Sequence, residues 1–183
     1  GIGVYNLTVG PAITDPAGNA MTHAYAGTFE ITDQPIPVSL HTWHEADYMN
    51  GAAGNWVVSA NGMSVTQTTN GEPTFFVSDF SLIDSRFEGT FYCSNWDDDM
   101  LGFVFAFNGV NNPYYLFSWK AYNQDVAEAG FKLFRIHGTP SLWDGESNAN
   151  QTVIARFTES NRGWRSGHTY AFQLSYQSGG VIR

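Results

Sequence analysis

The chain of 183 residues carries a net charge of −9 at neutral pH; 16% of its residues are aromatic and only 14% are charged. This length suits one domain, or one domain and part of another, and the acidic balance argues against nucleic acid as a partner, because binding a phosphate backbone requires a basic face. The aromatic content and the 19 glycines are typical of a turn-rich β protein, and no apolar run reaches the roughly 18 residues of a direct membrane insertion.

The first 33 residues contain two alternating segments. Residues 4–9 and Tyr25–Ile31 alternate apolar and polar side chains and are predicted as strands, joined by an Asp-Pro-Ala-Gly-Asn-Ala-Met loop. This arrangement resembles the end of a bacterial immunoglobulin-like repeat; a hairpin that belongs to the main domain is the alternative. Two prolines within residues 34–37 predict a short, stiff linker. The main domain is therefore expected over residues 38–183.

A cluster of histidines and acids follows the linker. His41 and His44, with an acid beside them, have the residue types of a zinc site, but a strand places residues three apart on opposite faces. Glu45 and Asp47 have the alternate spacing of paired carboxylates in jelly-roll glycosidases. The further Glu that laminarinase-like families carry two or three positions on is missing. We therefore predict neither a zinc site nor an active site here.

Aromatic strands are predicted in the middle of the chain. Phe103, Phe105 and Phe107 share one face of an alternating segment whose other face is also apolar, which predicts a strand buried in a two-layer sandwich. The alternating rings of residues 114–119 continue that layer. Core packing is the favoured role of these rings, and a carbohydrate platform is the alternative. Cys93 is the single cysteine, and its place in an alternating strand predicts a buried core thiol.

Three consecutive carboxylates lie between two of these strands. Asp97, Asp98 and Asp99 repel one another, and a cation or full solvation must offset that repulsion. Calcium takes about six to eight oxygen ligands, and a tight turn lets neighbouring carboxylates and carbonyls converge. We hypothesise that Asp97 and Asp99 bind Ca²⁺ directly, while Asp98 binds or faces solvent; a solvated acidic loop is the alternative. The candidates to complete the ligand shell are Asn95, Asp47 and Asp125.

Three segments carry a family resemblance. They read NWVVSANGMSVTQT, FEGTFYCSNWDDDMLGFVFAF and YYLFSWK. Together they resemble the C-terminal lectin-like domain of thrombospondins, in which an NWVV strand precedes an FEGTF strand, a DDDYAGF turn and a strand ending in MWK. The resemblance covers residues 38–183. It implies an all-β, concanavalin A-like jelly-roll sandwich of two antiparallel sheets, which is extracellular, bears Ca²⁺ and serves adhesion without enzymatic activity.

The sequence departs from that family at both ends. In the family, further strands follow the last matched segment, so we expect a jelly roll that lacks its last strands, either because the sequence is cut or because a neighbouring domain or subunit supplies them. Residues 1–37 lack the Asp periodicity of the calcium-loop repeats that precede the thrombospondin domain. This difference favours a large bacterial surface protein. A first residue of Gly in place of Met indicates a fragment or a processed product.

The sequence therefore predicts a non-catalytic, extracellular, calcium-binding adhesion module whose partner is a glycan or an extracellular protein. Two alternatives stay open: a carbohydrate-binding module of a polysaccharide-degrading enzyme, and a structural subunit of a surface fibre completed by strands from a neighbour. Aromatic and amide side chains in predicted loops are the candidates for ligand contact. They are Trp96, Asn111, Asn112 and Trp143.

Overall fold

The computed structural model describes residues 2–47, 54–71, 73–97, 99–124, 127–139, 147–158 and 162–183. The chain divides into two compact units, Gly1–Val38 and Ser39–Arg183. Asp98, Asp125 and Trp143, three of the candidate site residues, lie outside the described residues. Their roles therefore stay predictions.

The first unit is an antiparallel ribbon of two strands, β1 (Gly3–Val9) and β2 (Tyr25–Ile31). Its register pairs Tyr5 with Phe29, and the two rings stack with centroids 5.4 Å apart. The connecting turn is fixed by the Asp15 carboxylate, which accepts the backbone N–H groups of Ala17 and Asn19 at 2.9 Å. An Asp that accepts nearby backbone N–H groups favours a turn over a continued strand. The assignment of this ribbon to an immunoglobulin-like repeat stays a prediction.

The second unit begins with a short 3-10 turn, Leu40–Thr42, and the described residues contain no α-helix. Its strands are paired antiparallel throughout, which confirms the predicted all-β class. In chain order they are β3 (His44–Asp47), β4 (Trp56–Val58), β5 (Val65–Gln67), β6 (Thr74–Val77), β7 (Arg86–Tyr92), β8 (Met100–Phe105), β9 (Tyr114–Lys120), β10 (Gly130–Ile136), β11 (Gln151–Thr158) and β12 (Thr169–Ser175).

A central four-stranded sheet has the order β11-β10-β9-β8, and three two-stranded sheets, β12-β7, β3-β6 and β4-β5, accompany it. One face of the central sheet packs against β6, where Phe75 meets Tyr114 with ring centroids 5.8 Å apart. The core of this face consists of Phe75, Val77, Tyr114, Leu116, Phe134 and Ile136. Burial of six large side chains makes this contact a main source of hydrophobic stabilisation.

The opposite face of the central sheet packs against the β12-β7 pair. Phe103 of β8 lies 4.8 Å from Phe172 of β12 and 6.3 Å from Phe91 of β7, measured between ring centroids. Trp119 of β9 meets Phe91 edge-on at 5.7 Å. The stacked sheets confirm the predicted sandwich, and β9 is covered on both faces because a different sheet packs on each. Cys93 packs against the Trp119 cluster but is half-buried, so the prediction of a buried thiol holds only in part.

The prediction that Phe103, Phe105 and Phe107 share one face is wrong for Phe107. Ala106 has φ 53°, in the left-handed region, so the two-residue alternation of the strand ends there. Phe107 consequently turns to the other core, where its ring lies 5.2 Å from Tyr114. This change of face lets one continuous segment contribute rings to both sides of the central sheet.

Candidate functional site

The acidic turn connects two layers of the sandwich. Strand β7 ends at Tyr92 and pairs with β12, whereas β8 begins at Met100 and pairs with β9. The intervening residues must therefore cross from one sheet to the next. The backbone N–H and C=O groups of such a crossing have no partners in a neighbouring strand. Side chains and nearby loops must therefore supply their hydrogen bonds.

Polar side chains hold the first part of this turn. The Asn70 amide donates to the Asp97 carboxylate at 2.6 Å across 27 residues of chain, and the Asp97 backbone N–H points at the Asn95 side-chain oxygen at 3.4 Å. Asp97 and Asp99 are both half-buried. Two partly desolvated carboxylates so close along the chain gain more from a cation than exposed ones would. Asn70 was not identified from the sequence, because Asp97, the residue that it contacts, lies 27 residues further along the chain.

A loop between β11 and β12 holds both ends of the turn. The Trp164 indole N–H donates to the Asp99 carbonyl at 2.9 Å, and the Gly167 N–H donates to the Cys93 carbonyl at 2.8 Å. Both bonds join residues that are distant in the chain, and the second spans from the end of β7 to the loop before β12. Trp164 itself is 1% exposed. The loop is thereby attached to both ends of the acidic turn.

A third contact fixes that loop to the central sheet. The Trp119 indole N–H donates to the Arg162 carbonyl at 2.6 Å, and Gly163 lies so close to Ala121 that a Cβ on it would overlap the Ala121 carbonyl oxygen. Only glycine fits such a close backbone approach. The contact of Trp164 with the acidic turn was not predicted from the sequence, because 65 residues separate Trp164 from Asp99.

The predicted calcium ligands can be compared with this geometry. Asp97, Asp99 and Asn95 lie in one turn, and their side chains offer only oxygen acceptors or an amide, which is the chemistry that calcium prefers over zinc. Over the described ranges, which omit Asp98, no group of three or more His, Cys, Asp or Glu side chains is arranged to hold a metal ion. Asp47 ends β3. The donor types therefore fit Ca²⁺, and the ligand set itself stays a prediction.

The candidate ligand-contact residues lie at different places. Trp96 is in the acidic turn and 79% exposed. Asn111 and Asn112 are exposed in the turn between β8 and β9, where the Asn112 side chain donates to the Asn108 carbonyl. Strand β8 separates the two turns by six residues, or about 20 Å of extended chain. The structure thus places Trp96 beside the carboxylates and the two asparagines at the far end of β8.

The histidine and acid cluster has local structural contacts. The His41 ring lies 3.3 Å from the Ala60 carbonyl, and the Glu45 carboxylate accepts the Gly54 N–H at 2.7 Å. Each contact ties the start of the second unit to its first hairpin. The Glu45 carboxylate therefore has a structural role, because it accepts a backbone hydrogen bond.

Comparison with known proteins decides the family. A family model described as the thrombospondin C-terminal region matches residues 51–183. The chain belongs to this family. Thrombospondin-4 of Bos taurus is 29% identical over 141 residues, which cover 67% of this chain and 15% of the relative. Cartilage oligomeric matrix protein of Rattus norvegicus is 28% identical over 141 residues, covering 67% of this chain and 18% of that protein.

A third member of the thrombospondin group gives the same result. Thrombospondin-3 of Homo sapiens is 29% identical over 141 residues, covering 67% of this chain and 15% of the relative. The chain therefore spans less than a fifth of the length of these animal relatives. As a member of the thrombospondin C-terminal family, the protein is extracellular. The part of the chain that the structure describes contains no helix with the length and hydropathy of a membrane span.

Proposed function

We propose that the protein is a non-catalytic adhesion or recognition module in which Ca²⁺ orders the acidic turn between β7 and β8. The observation that carries this proposal is the position of Asp97 and Asp99, half-buried in one turn that crosses between sheets. Membership of the thrombospondin C-terminal family supports an extracellular recognition role. Fold alone does not fix function, so the proposal depends on the turn.

The residues around the turn have separate roles in this mechanism. Asn70 orients the Asp97 carboxylate through its amide, and Trp164 holds the Asp99 carbonyl. Bound Ca²⁺ would supply the positive charge that offsets repulsion among the neighbouring carboxylates. A turn fixed in this way loses less conformational entropy when it contacts a partner, because the ordering has already occurred. The proposed outcome is a rigid loop that presents Trp96.

Calcium titration by calorimetry tests the proposal. We expect binding by the intact chain and loss of binding in the triple variant Asp97→Asn, Asp98→Asn, Asp99→Asn, because the amides keep the size of the side chains and remove their charge. A matched control removes three negative charges from exposed positions elsewhere, through Glu30→Gln, Asp33→Asn and Glu88→Gln. Unchanged binding by the acidic-turn variant would eliminate the site.

The proposed partner is a glycan or an extracellular protein that contacts the loop around Trp96. A tryptophan that is 79% exposed offers a flat apolar surface for a sugar ring or a protein side chain. A glycan array, run with and without a chelator, distinguishes these partners. Binding that requires calcium and is lost in Trp96→Ala supports a glycan at this turn. Absence of binding to any glycan, with calcium present, leaves the extracellular protein as the proposed partner.

The exposed Trp96 also favours a second candidate function, a carbohydrate-binding module of a polysaccharide-degrading enzyme. In that case glycan binding would persist in the presence of a chelator. Assembly into a surface fibre, the other alternative, predicts oligomers by native mass spectrometry. The context of a large bacterial surface protein rests on the resemblance of residues 1–33 to an immunoglobulin-like repeat, and the relatives named above are animal proteins.

A further inference from the structure

The loop between β11 and β12 binds both ends of the acidic turn through backbone carbonyls. Trp164 donates its indole N–H to the Asp99 carbonyl at 2.9 Å, and Gly167 donates its backbone N–H to the Cys93 carbonyl at 2.8 Å. Neither of these two bonds uses the Asp99 carboxylate. The bond from Trp164 restrains the peptide that follows Asp99, and with it the backbone from which the Asp99 side chain leaves.

The indole is itself rigidly placed. Trp164 is 1% exposed and packs in a cluster with Trp119 and Ala121, with Phe91 and Tyr170 among the partly buried residues beside it. A buried ring in a well-packed core has one orientation, because other rotamers would overlap its neighbours. Its N–H is therefore a donor at a fixed position. The hydrogen bond in turn restrains the Asp99 carbonyl that accepts it.

We propose that Trp164 is a positioning residue for the calcium site, which holds Asp99 in the orientation that binds the ion. This inference rests on the proposed function. The physical reason is preorganisation: a ligand whose direction is set before the ion arrives loses less entropy on binding. By thermodynamic linkage, an ion that favours this orientation also strengthens the hydrogen bond between Trp164 and Asp99.

The variant Trp164→Phe tests the inference, since it keeps an aromatic ring and removes the donor. A net hydrogen-bond contribution of the usual size corresponds to a rise in the calcium Kd of about 2- to 10-fold. The matched control is Trp56→Phe, which removes an indole N–H that donates to the Thr74 hydroxyl at 2.8 Å. The control is expected to leave the Kd unchanged, although it also loses one hydrogen bond of a partly buried tryptophan.

A second measurement needs no variant and guards against a Trp164→Phe protein that fails to fold. By NMR, exchange of the Trp164 indole N–H with solvent is expected to become slower when calcium saturates the wild-type chain. A folded Trp164→Phe protein with the wild-type Kd, or an indole exchange rate that calcium leaves unchanged, would overturn the inference while the calcium site stands. A wild-type chain that binds no calcium would instead reject the proposed function, and the inference with it.

Discussion

The hydroxyl of Tyr114 is buried without a hydrogen-bond partner in the described part of the chain. Tyr114 is 1% exposed, and its ring packs edge-on against both Phe75 and Phe107, with centroids at 5.8 and 5.2 Å. Removing a buried hydroxyl that has no partner removes its desolvation cost, so we expect Tyr114→Phe to raise the free energy of unfolding by about 1 kcal/mol. For a chain of this size, that corresponds to a rise in Tm of about 2–4 °C.

Tyr170→Phe is the matched control, because the Tyr170 hydroxyl accepts the backbone N–H of Arg165 at 2.9 Å. Its removal leaves that N–H without this partner and is expected to lower stability by about 1 kcal/mol. Urea unfolding followed by fluorescence measures both variants. The two substitutions remove the same atom, and opposite signs are expected. A Tyr114→Phe protein destabilised as much as Tyr170→Phe would show that the buried Tyr114 hydroxyl stabilises the fold.

The same burial has a consequence at high pH. Desolvation raises the pKa of Tyr114 from its usual 10.0 to about 12, because the buried site disfavours the phenolate. The raised pKa has no effect on stability below pH 10, and above it the folded state loses stability relative to the unfolded state, in which the phenol ionises first, until the pH passes 12. We expect the wild type to lose about 2 kcal/mol more than Tyr114→Phe between about pH 9 and pH 12. Equal losses in the two proteins would contradict the raised pKa.

Two further predictions concern local contacts. Gly163→Ala is expected to cost more than about 2 kcal/mol of stability, since the added Cβ overlaps the Ala121 carbonyl oxygen; Gly179→Ala, whose Cβ would meet nothing within 4 Å, should change stability little in the same thermal unfolding assay. Hydrogen bonds from the side chain and backbone of Asn19 hold the pKa of Asp15 below its usual 3.8. An NMR titration should show this low value and a rise in Asn19→Ala; a titration midpoint that the substitution leaves unchanged would contradict it.

The strands were predictable because their signal is local. Alternation and turn residues identified the hairpin ribbon at the start of the chain and the aromatic strands in the middle, and the structure has strands at β1, β2, β8 and β9. The change of face at Phe107 was not predictable, since it depends on the left-handed conformation of Ala106, and alanine carries no sequence signal for that conformation.

The contacts around the acidic turn show the limit of reading a single sequence. Asp97 and Asp99 were identified because they belong to a run of consecutive carboxylates, and Trp96 because it is an aromatic residue in a predicted loop. Asn70 and Trp164, which contact the turn from 27 and 65 residues away, were not assigned to it. Their placement follows from how the sheets stack, and stacking depends on the whole core. The two-residue alternation of a strand predicts which face of the sheet a residue occupies. It does not predict which residue of the opposite sheet that residue contacts.

The proposed mechanism requires that Ca²⁺ binds where the chain crosses between β7 and β8. A crystal structure determined with calcium, using anomalous scattering to identify the ion, tests it most directly. We expect an ion at this turn with carboxylate oxygens of Asp97 and Asp99 at about 2.3–2.6 Å. An ion bound elsewhere in the chain, or an acidic turn that holds only water at saturating calcium, would contradict it.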